Sequence, residues 1–390
     1  MTKTPRGHRP HSRRGRSRLL LVLAPLLLSA ACTGIGGGPG SPLGAAASAT
    51  PPTPSFPAKP VPKPNIVLVL TDDLSMNLVQ YMPHVLALQH AGTSFSNYTV
   101  TDSLCCPSRS SIFSGKFPHD TGVFTNTGKD GGFNVFHDRG EENANTVPSS
   151  APSWLARRPP LTSKQTTRID TAFRKRVQAV QSVDRMIASL QSALTKAGVA
   201  DSTDIVFSSD NGYHMGEYRL MPGKMTAFDT DVNVPLVAAG PGIPAGRTVG
   251  VPVQNIDLAP TFEALAGAPT PTNVDGHNLV PLLSGGSAGW RTAALVEHHG
   301  PDTVPSDPDY PAKHSGNPPS YQALRTTAYT YVEYTGGAKE YEDRRTDPAQ
   351  LHNTVADLPP TTLSALHTDL AAMVTCHGEQ ACWTAGHLAQ

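Results

Sequence analysis

Charge is what this chain most conspicuously lacks. Its 31 basic and 31 acidic side chains cancel over 390 residues, so the field that steers a nucleic-acid binder is missing. Long apolar runs are missing too. Residues 19–31 form an apolar stretch of 13, which is too short to span a bilayer. No internal repeat occurs, so a solenoid or propeller is excluded. Cysteine is scarce, with five in all, and their positions separate them into distinct uses.

The zero balance is uneven. Lys3, Arg6, Arg9, Arg13, Arg14, Arg16 and Arg18 precede every acidic residue, and taking their seven charges from zero leaves −7 for the rest. A basic start before an apolar run and small residues reads as an export signal over 1–31. Ser12-Arg13-Arg14 is a partial twin-arginine match. Ser29-Ala30-Ala31-Cys32 resembles a lipobox, in which Cys32 would carry a lipid at the cell surface. The alternative is an ordinary cleavage site beside a cysteine, giving a secreted protein. Residues 32–64, rich in Pro, Gly, Ala and Ser, read as a tether. Contact with a membrane is therefore expected only through that lipid. Cys376 and Cys382 bracket a short loop that suits a disulfide in an exported protein.

Order is expected from Asn65. Ile66-Val67-Leu68-Val69-Leu70 is a continuous apolar run that suits a strand buried on both faces of a parallel sheet, and it ends in Asp72-Asp73. A helix is expected over 83–91 and a strand over 93–100. The period of Phe173, Val177, Val180, Val183, Ile187, Leu190 and Leu194 predicts a long helix over 166–197, with Arg174, Lys175, Arg176 and Gln178 on a solvated face. Residues 204–207 repeat the first strand's pattern and end in Asp210-Asn211. A strand over 234–238 and a helix over 258–266 capped by Asp257 follow. Beyond residue 288 come short aromatic strands at 321–325, 329–334 and 339–342, then a helix over 360–374. The fold class expected is α/β, a mostly parallel sheet sandwiched by helices over 65–288, with a small C-terminal α+β subdomain over 289–390.

Residues 104–115 read Leu-Cys-Cys-Pro-Ser-Arg-Ser-Ser-Ile-Phe-Ser-Gly. Pro107 suits the first turn of a helix, Ile112 and Phe113 would be its buried side, and Gly115 would end it. Cys105 then stands at the helix N-terminus, where free N–H groups and the macrodipole favour an anion, and Arg109 lies one turn on. Asp72, Asp73, Asp210 and Asn211 are hard oxygen donors at strand ends, which select Ca²⁺ or Mg²⁺ over zinc.

The motif C-x-P-S-R-x-x-I-F-S-G resembles the sulfatase signature, and residues 105–123 look like the branch that contains N-acetylglucosamine-6-sulfatases. The resemblance covers most of 65–283 and implies an alkaline-phosphatase-like fold and hydrolysis of sulfate esters of sugars or aryl alcohols. It implies that Cys105 is oxidised to formylglycine by a formylglycine-generating enzyme. It further implies that Asp72, Asp73, Asp210, Asn211 and residue 105 hold one divalent ion, commonly calcium. Arg109 and Lys224 would contact the sulfate, and His214, within D-N-G-Y-H-M-G-E, would face substrate or pack. Two family pieces are not found between the signature and Asp210, a G-K motif and a P-H segment. Residues 132–145 resemble the family, as do 154–164, and only 146–153 join them, as if an internal segment were deleted. His137 is a substitute acid only in name, since nothing places it in the site. A degenerate surface lipoprotein that keeps only a metal and anion pocket, and a phosphatase or phosphonate hydrolase of the same superfamily, are the alternatives.

Overall fold

The computed structural model describes residues 63–126, 146–303, 305 and 310–388. The export signal, Cys32, most of the tether and His137 lie outside the described residues. The first half of the chain forms β1 (Asn65–Thr71), α1 (Pro83–Ala91), β2 (Thr93–Phe95), β3 (Tyr98–Thr99), α2 (Cys105–Ser114), α3 (Pro118–Thr121), α4 (Ser153–Ala156), α5 (Ser163–Ala197) and β4 (Thr203–Ser209). It continues through α6 (Asp229–Val232), β5 (Leu236–Ala239), β6 (Arg247–Val249), β7 (Val253–Gln254), α7 (Leu258–Ala266) and α8 (Val280–Leu283). The last part holds β8 (Ala293–His298), β9 (Tyr321–Thr326), β10 (Tyr329–Tyr334), β11 (Lys339–Asp343), α9 (Pro360–Val374) and α10 (Glu379–Ala385).

The main sheet has the order β1-β4-β5-β2-β6. Strands β1 and β4 run parallel, as do β2 and β6, while β5 runs antiparallel to both its neighbours. The sheet is thus mixed, because β5 enters from the same end at which β4 leaves. Alternate residues feed two cores. Ile205, Phe207, Val237 and Ala239 meet Val85 and Leu88 of α1 and Phe173, Val180 and Ile187 of α5. Val206, Leu236 and Ala238 meet Ile112 of α2, Leu258 of α7 and Leu282 of α8 on the other side. Helices therefore sandwich the sheet. A second, antiparallel sheet has the order β11-β10-β9-β8 and is covered by Leu366, Leu370 and Met373 of α9. Cys376 and Cys382 form the expected disulfide. Among the described residues no helix is long and apolar enough to cross a membrane.

Several expectations are corrected. Strand β1 does pack on both faces, Val67 and Val69 on one side and Leu68 and Leu70 on the other, but among the described strands it lies at the sheet edge, with β4 as its neighbour. The run over 93–100 breaks into β2 and β3, which join different sheets. Helix α5 starts a turn earlier than its apolar period suggests, because Thr162 and Gln165 close a capping box. Phe113 is 71 % exposed, so Ile112 alone buries that side of α2. Asp257 gives α7 no side-chain cap; it accepts from the Gln254 and His277 amides and pairs with Arg291. Residue Arg176 leaves the solvated face altogether, as described below.

Candidate active site

Register builds the site. Thr71 pairs with Ser209 at the carboxyl ends of β1 and β4, so Asp72-Asp73 and Asp210-Asn211 emerge side by side. Between them the Asp73 amide donates to Asp210 Oδ1 (3.1 Å), as does the Asn211 amide (2.8 Å). Asn211 Nδ2 donates to Asp73 Oδ1 at 2.6 Å, which aims its Oδ1 elsewhere, and that buried oxygen has no hydrogen-bond partner.

Helix α2 delivers the third part. Its first residue is Cys105, and Gly115 ends it in the left-handed conformation (φ 69°) that glycine tolerates. Ser108 anchors the helix to the β4 end through the Asp210 carbonyl, and Asn255 Nδ2 donates to the Ser108 hydroxyl at 2.9 Å. Arg109, one turn on, bridges Asp210 Oδ2 (2.6 Å) and Asp72 Oδ1 (2.9 Å). Lys224 Nζ comes from a loop to within 2.6 Å of Cys105 Sγ and 3.0 Å of Asp73 Oδ1. Cys105 Sγ lies 3.5 Å from Asp72 Oδ1. Ligand atoms of Asp72, Asp73 and Cys105 all fall within 4.8 Å of one another. The amide of the neighbouring Cys106 donates to Asn126 Oδ1 at 2.7 Å.

The electrostatics are those of crowded carboxylates flanked by Arg109 and Lys224. Burial, helped by Asp72 and Asp73, pushes Asp210 up to about 7 against the pull of Arg109 and Lys224. For Asp73 burial acts in the same direction, but Lys224, Arg176 and the Asn211 amide outweigh it and hold the carboxyl below its ordinary value. Burial raises the Cys105 thiol strongly, with Lys224 opposing and the three carboxylates assisting. An unmodified Cys105 is therefore a thiol here rather than a thiolate.

Seven of the eight residues expected in the site converge: Asp72, Asp73, Cys105, Arg109, Asp210, Asn211 and Lys224. His214 does not present itself to a substrate. It is 0 % exposed, with Nδ1 on Asp231 (2.9 Å) and Nε2 on the Ser315 carbonyl (2.6 Å). Arg176 was missed. It projects from α5 to the Asp73 carbonyl, its guanidinium 4.7 Å from the Tyr213 ring centre. The signal was present, since Arg176 stands three residues after Phe173 and four before Val180, on the apolar stripe. Asp184 continues that stripe and accepts from the His84 and Val85 amides at the start of α1.

A second cluster, His119, Asp120 and His377, also gathers ligand-type atoms. Both His119 nitrogens are engaged, by Glu297 Oε2 and by the Cys376 carbonyl, each at 2.8 Å. Burial works against the imidazolium, but these partners outweigh it and lift His119 to about 9. The ring is a strut between α3, β8 and the disulfide loop.

Fold and site together define the alkaline-phosphatase-like class, an α/β sandwich with acidic pairs at strand ends facing a helix N-terminus. The sulfatase family model matches residues 64–159 and 130–268, and a model described as N-sulphoglucosamine sulphohydrolase, C-terminal, matches 216–375. N-acetylglucosamine-6-sulfatase of Bos taurus is 32 % identical over 272 residues, covering 63 % of this chain and 48 % of the relative. The chain thus spans about half the length of the curated relatives it matches. A solved structure described as bound to its substrate D-glucosamine-2-N,6-O-disulfate superimposes with a TM-score of 0.59 at 18 % identity, covering 80 % of this chain and 97 % of that one. A phosphonate monoester hydrolase from Silicibacter pomeroyi gives 0.58 at 18 %, covering 78 % and 93 %. These two likenesses show the fold. The chain belongs to the sulfatase family.

Proposed function

We propose that the protein is a sulfuric ester hydrolase that removes sulfate from sulfated sugars, with residue 105 as its nucleophile after conversion to formylglycine. The observation that carries this reading is the meeting of Cys105, Lys224 and Arg109 with four oxygen donors, one of which, Asn211 Oδ1, is buried without a partner. Such an orphaned oxygen among carboxylates fits a hard divalent cation, and Asp72, Asp73, Asp210, Asn211 and residue 105 would hold it, calcium being our choice over magnesium. When bound, that ion supplies Lewis-acid polarisation of a sulfate oxygen. The chain's own residues do the rest. Lys224, already on the residue 105 side chain, orients the nucleophile and neutralises a sulfate oxygen. Arg109 would offer its planar fork to a second sulfate oxygen. The partner class required is a formylglycine-generating enzyme, and the Cys376–Cys382 disulfide supports an oxidising compartment outside the cytoplasm.

One observation favours a second reading, a binding-only relative. Among the described residues no strand lies between β3 and β4, the interval in which the two family pieces are not found. Protein made in a host with the formylglycine-generating enzyme is assayed on 4-nitrophenyl sulfate and glucosamine 6-sulfate, with calcium and with chelator. Calcium-dependent turnover abolished by Cys105→Ala supports the hydrolase. Calcium and sulfate binding without turnover supports the binding-only relative, and faster cleavage of the matching phosphate or phosphonate ester would reassign the reaction.

A further inference from the structure

Asp73 stands in the left-handed backbone region, with φ at 56°, which is uncommon outside glycine although Asp enters it more readily than most residues. Left-handed backbone at a non-glycine residue persists where its surroundings over-determine it. Three contacts do so here. The Asp73 amide donates to Asp210 Oδ1, the next amide, Leu74, donates to Ser209 Oγ at 2.9 Å, and the Asp73 carbonyl accepts from Arg176 Nη2. The first two come from the end of β4. The third comes from a different element, α5, and reaches the loop from the side away from Cys105.

Arg176 is itself fixed. It is 8 % exposed, and its guanidinium lies over Tyr213, whose main chain is tied to the same loop. The Tyr213 amide donates to Ser75 Oγ at 2.9 Å, and the Ser75 hydroxyl donates to the Tyr213 carbonyl at 2.8 Å. A planar fork stacked on a ring and donating to a carbonyl sets an orientation, which a flexible ammonium cannot do.

We infer that Arg176 is a positioning residue for the divalent-cation site, gripping the Asp73 peptide so that its carboxylate faces Asn211, Lys224 and residue 105. The inference rests on the reading of Asp72, Asp73, Asp210 and Asn211 as cation ligands. It predicts the reverse of simple electrostatics. A positive charge beside a cation site repels the cation, so its removal should tighten binding if charge were the whole effect. Loss of a group that orients a ligand instead weakens metal affinity by roughly 10–100-fold.

The test is calcium titration calorimetry on the full chain, with thermal unfolding of the calcium-free protein alongside. Arg176→Met and Arg176→Lys are both expected to bind calcium at least about tenfold more weakly than the parent, with the calcium-free unfolding temperature little changed. Parent-like binding by Arg176→Lys together with tighter binding by Arg176→Met would overturn the inference in favour of charge, and parent-like binding by both would overturn it outright. Should Arg176→Met not fold, Tyr213→Leu takes its place: weaker calcium binding supports the inference, and unchanged binding overturns it. A parent protein that binds no divalent cation would instead bring down the metal-site reading itself, a result distinct from all of these.

Discussion

His214 separates two accounts of the same motif, and replacing it with alanine decides between them. If the imidazole were a catalytic acid or base, its loss would lower kcat by about 10²–10⁴-fold and leave the fold intact. The structure assigns it the opposite character. Its Nδ1 sits 2.9 Å from Asp231 and its Nε2 2.6 Å from the Ser315 carbonyl, in a site with no exposed surface. Two hydrogen bonds of charged type contribute about 1.5–3 kcal/mol each, and the buried Asp231 keeps only its contacts to Thr226 when the ring is gone. A cost of about 3–5 kcal/mol follows, which in a chain of this size moves Tm by roughly 6–10 °C. The rate per folded molecule at 25 °C should fall less than about tenfold, through the backbone pairing of His214 with Gly223 beside Lys224. Thermal unfolding read together with initial rates on an aryl sulfate measures both. A hundredfold loss of kcat with Tm within 2 °C of the parent, roughly the shift expected for 1 kcal/mol, would refute the reasoning.

Arg325 makes a two-pronged pair with Asp229, both contacts at 2.9 Å, and with Arg344 it outweighs burial to hold that carboxyl down at about 2. Arg325→Met should therefore cost about 1.5–3 kcal/mol in urea unfolding, since Asp229 loses its two-pronged partner but keeps Arg344 at 2.8 Å. His119 is raised to about 9, so the stability it contributes is whole below its unfolded value near 6.5 and is lost as pH rises through 9. Unfolding free energy should fall by roughly 1–3 kcal/mol between pH 7 and 10, and the fall should shrink in His119→Gln. Phe113, 71 % exposed, should tolerate replacement by glutamate within about 0.5 kcal/mol, although its place in the signature suggests a core residue.

What the sequence disclosed and what it hid divide along physical lines. Asp72, Asp73, Asp210 and Asn211 were legible because each pair follows an apolar run, and an acidic pair at a buried strand's end has few structural uses. That the pairs face each other depends on the Thr71–Ser209 register, which no local pattern carries. Helix spacing put Cys105 and Arg109 on one face at a helix start, and the resemblance of C-x-P-S-R to the sulfatase signature supplied their roles. Arg176 was hidden by its own charge: three basic residues in a row read as a solvated face, although its position on the stripe of Phe173 and Val180 pointed inward. His214 shows the converse, since a motif can bring a residue into the neighbourhood of a site without saying which way its ring turns. The edge position of β1 was not legible because a continuous apolar run reports that both faces are covered and says nothing of which strands lie beside it.

The account stands or falls on residue 105. Mass spectrometry of the peptide that contains Cys105 and Cys106, taken from protein made in a host with the formylglycine-generating enzyme, tests it most directly. An aldehyde in place of the first thiol, with Cys106 unchanged, is the result expected. A thiol at residue 105 throughout would contradict the proposed nucleophile.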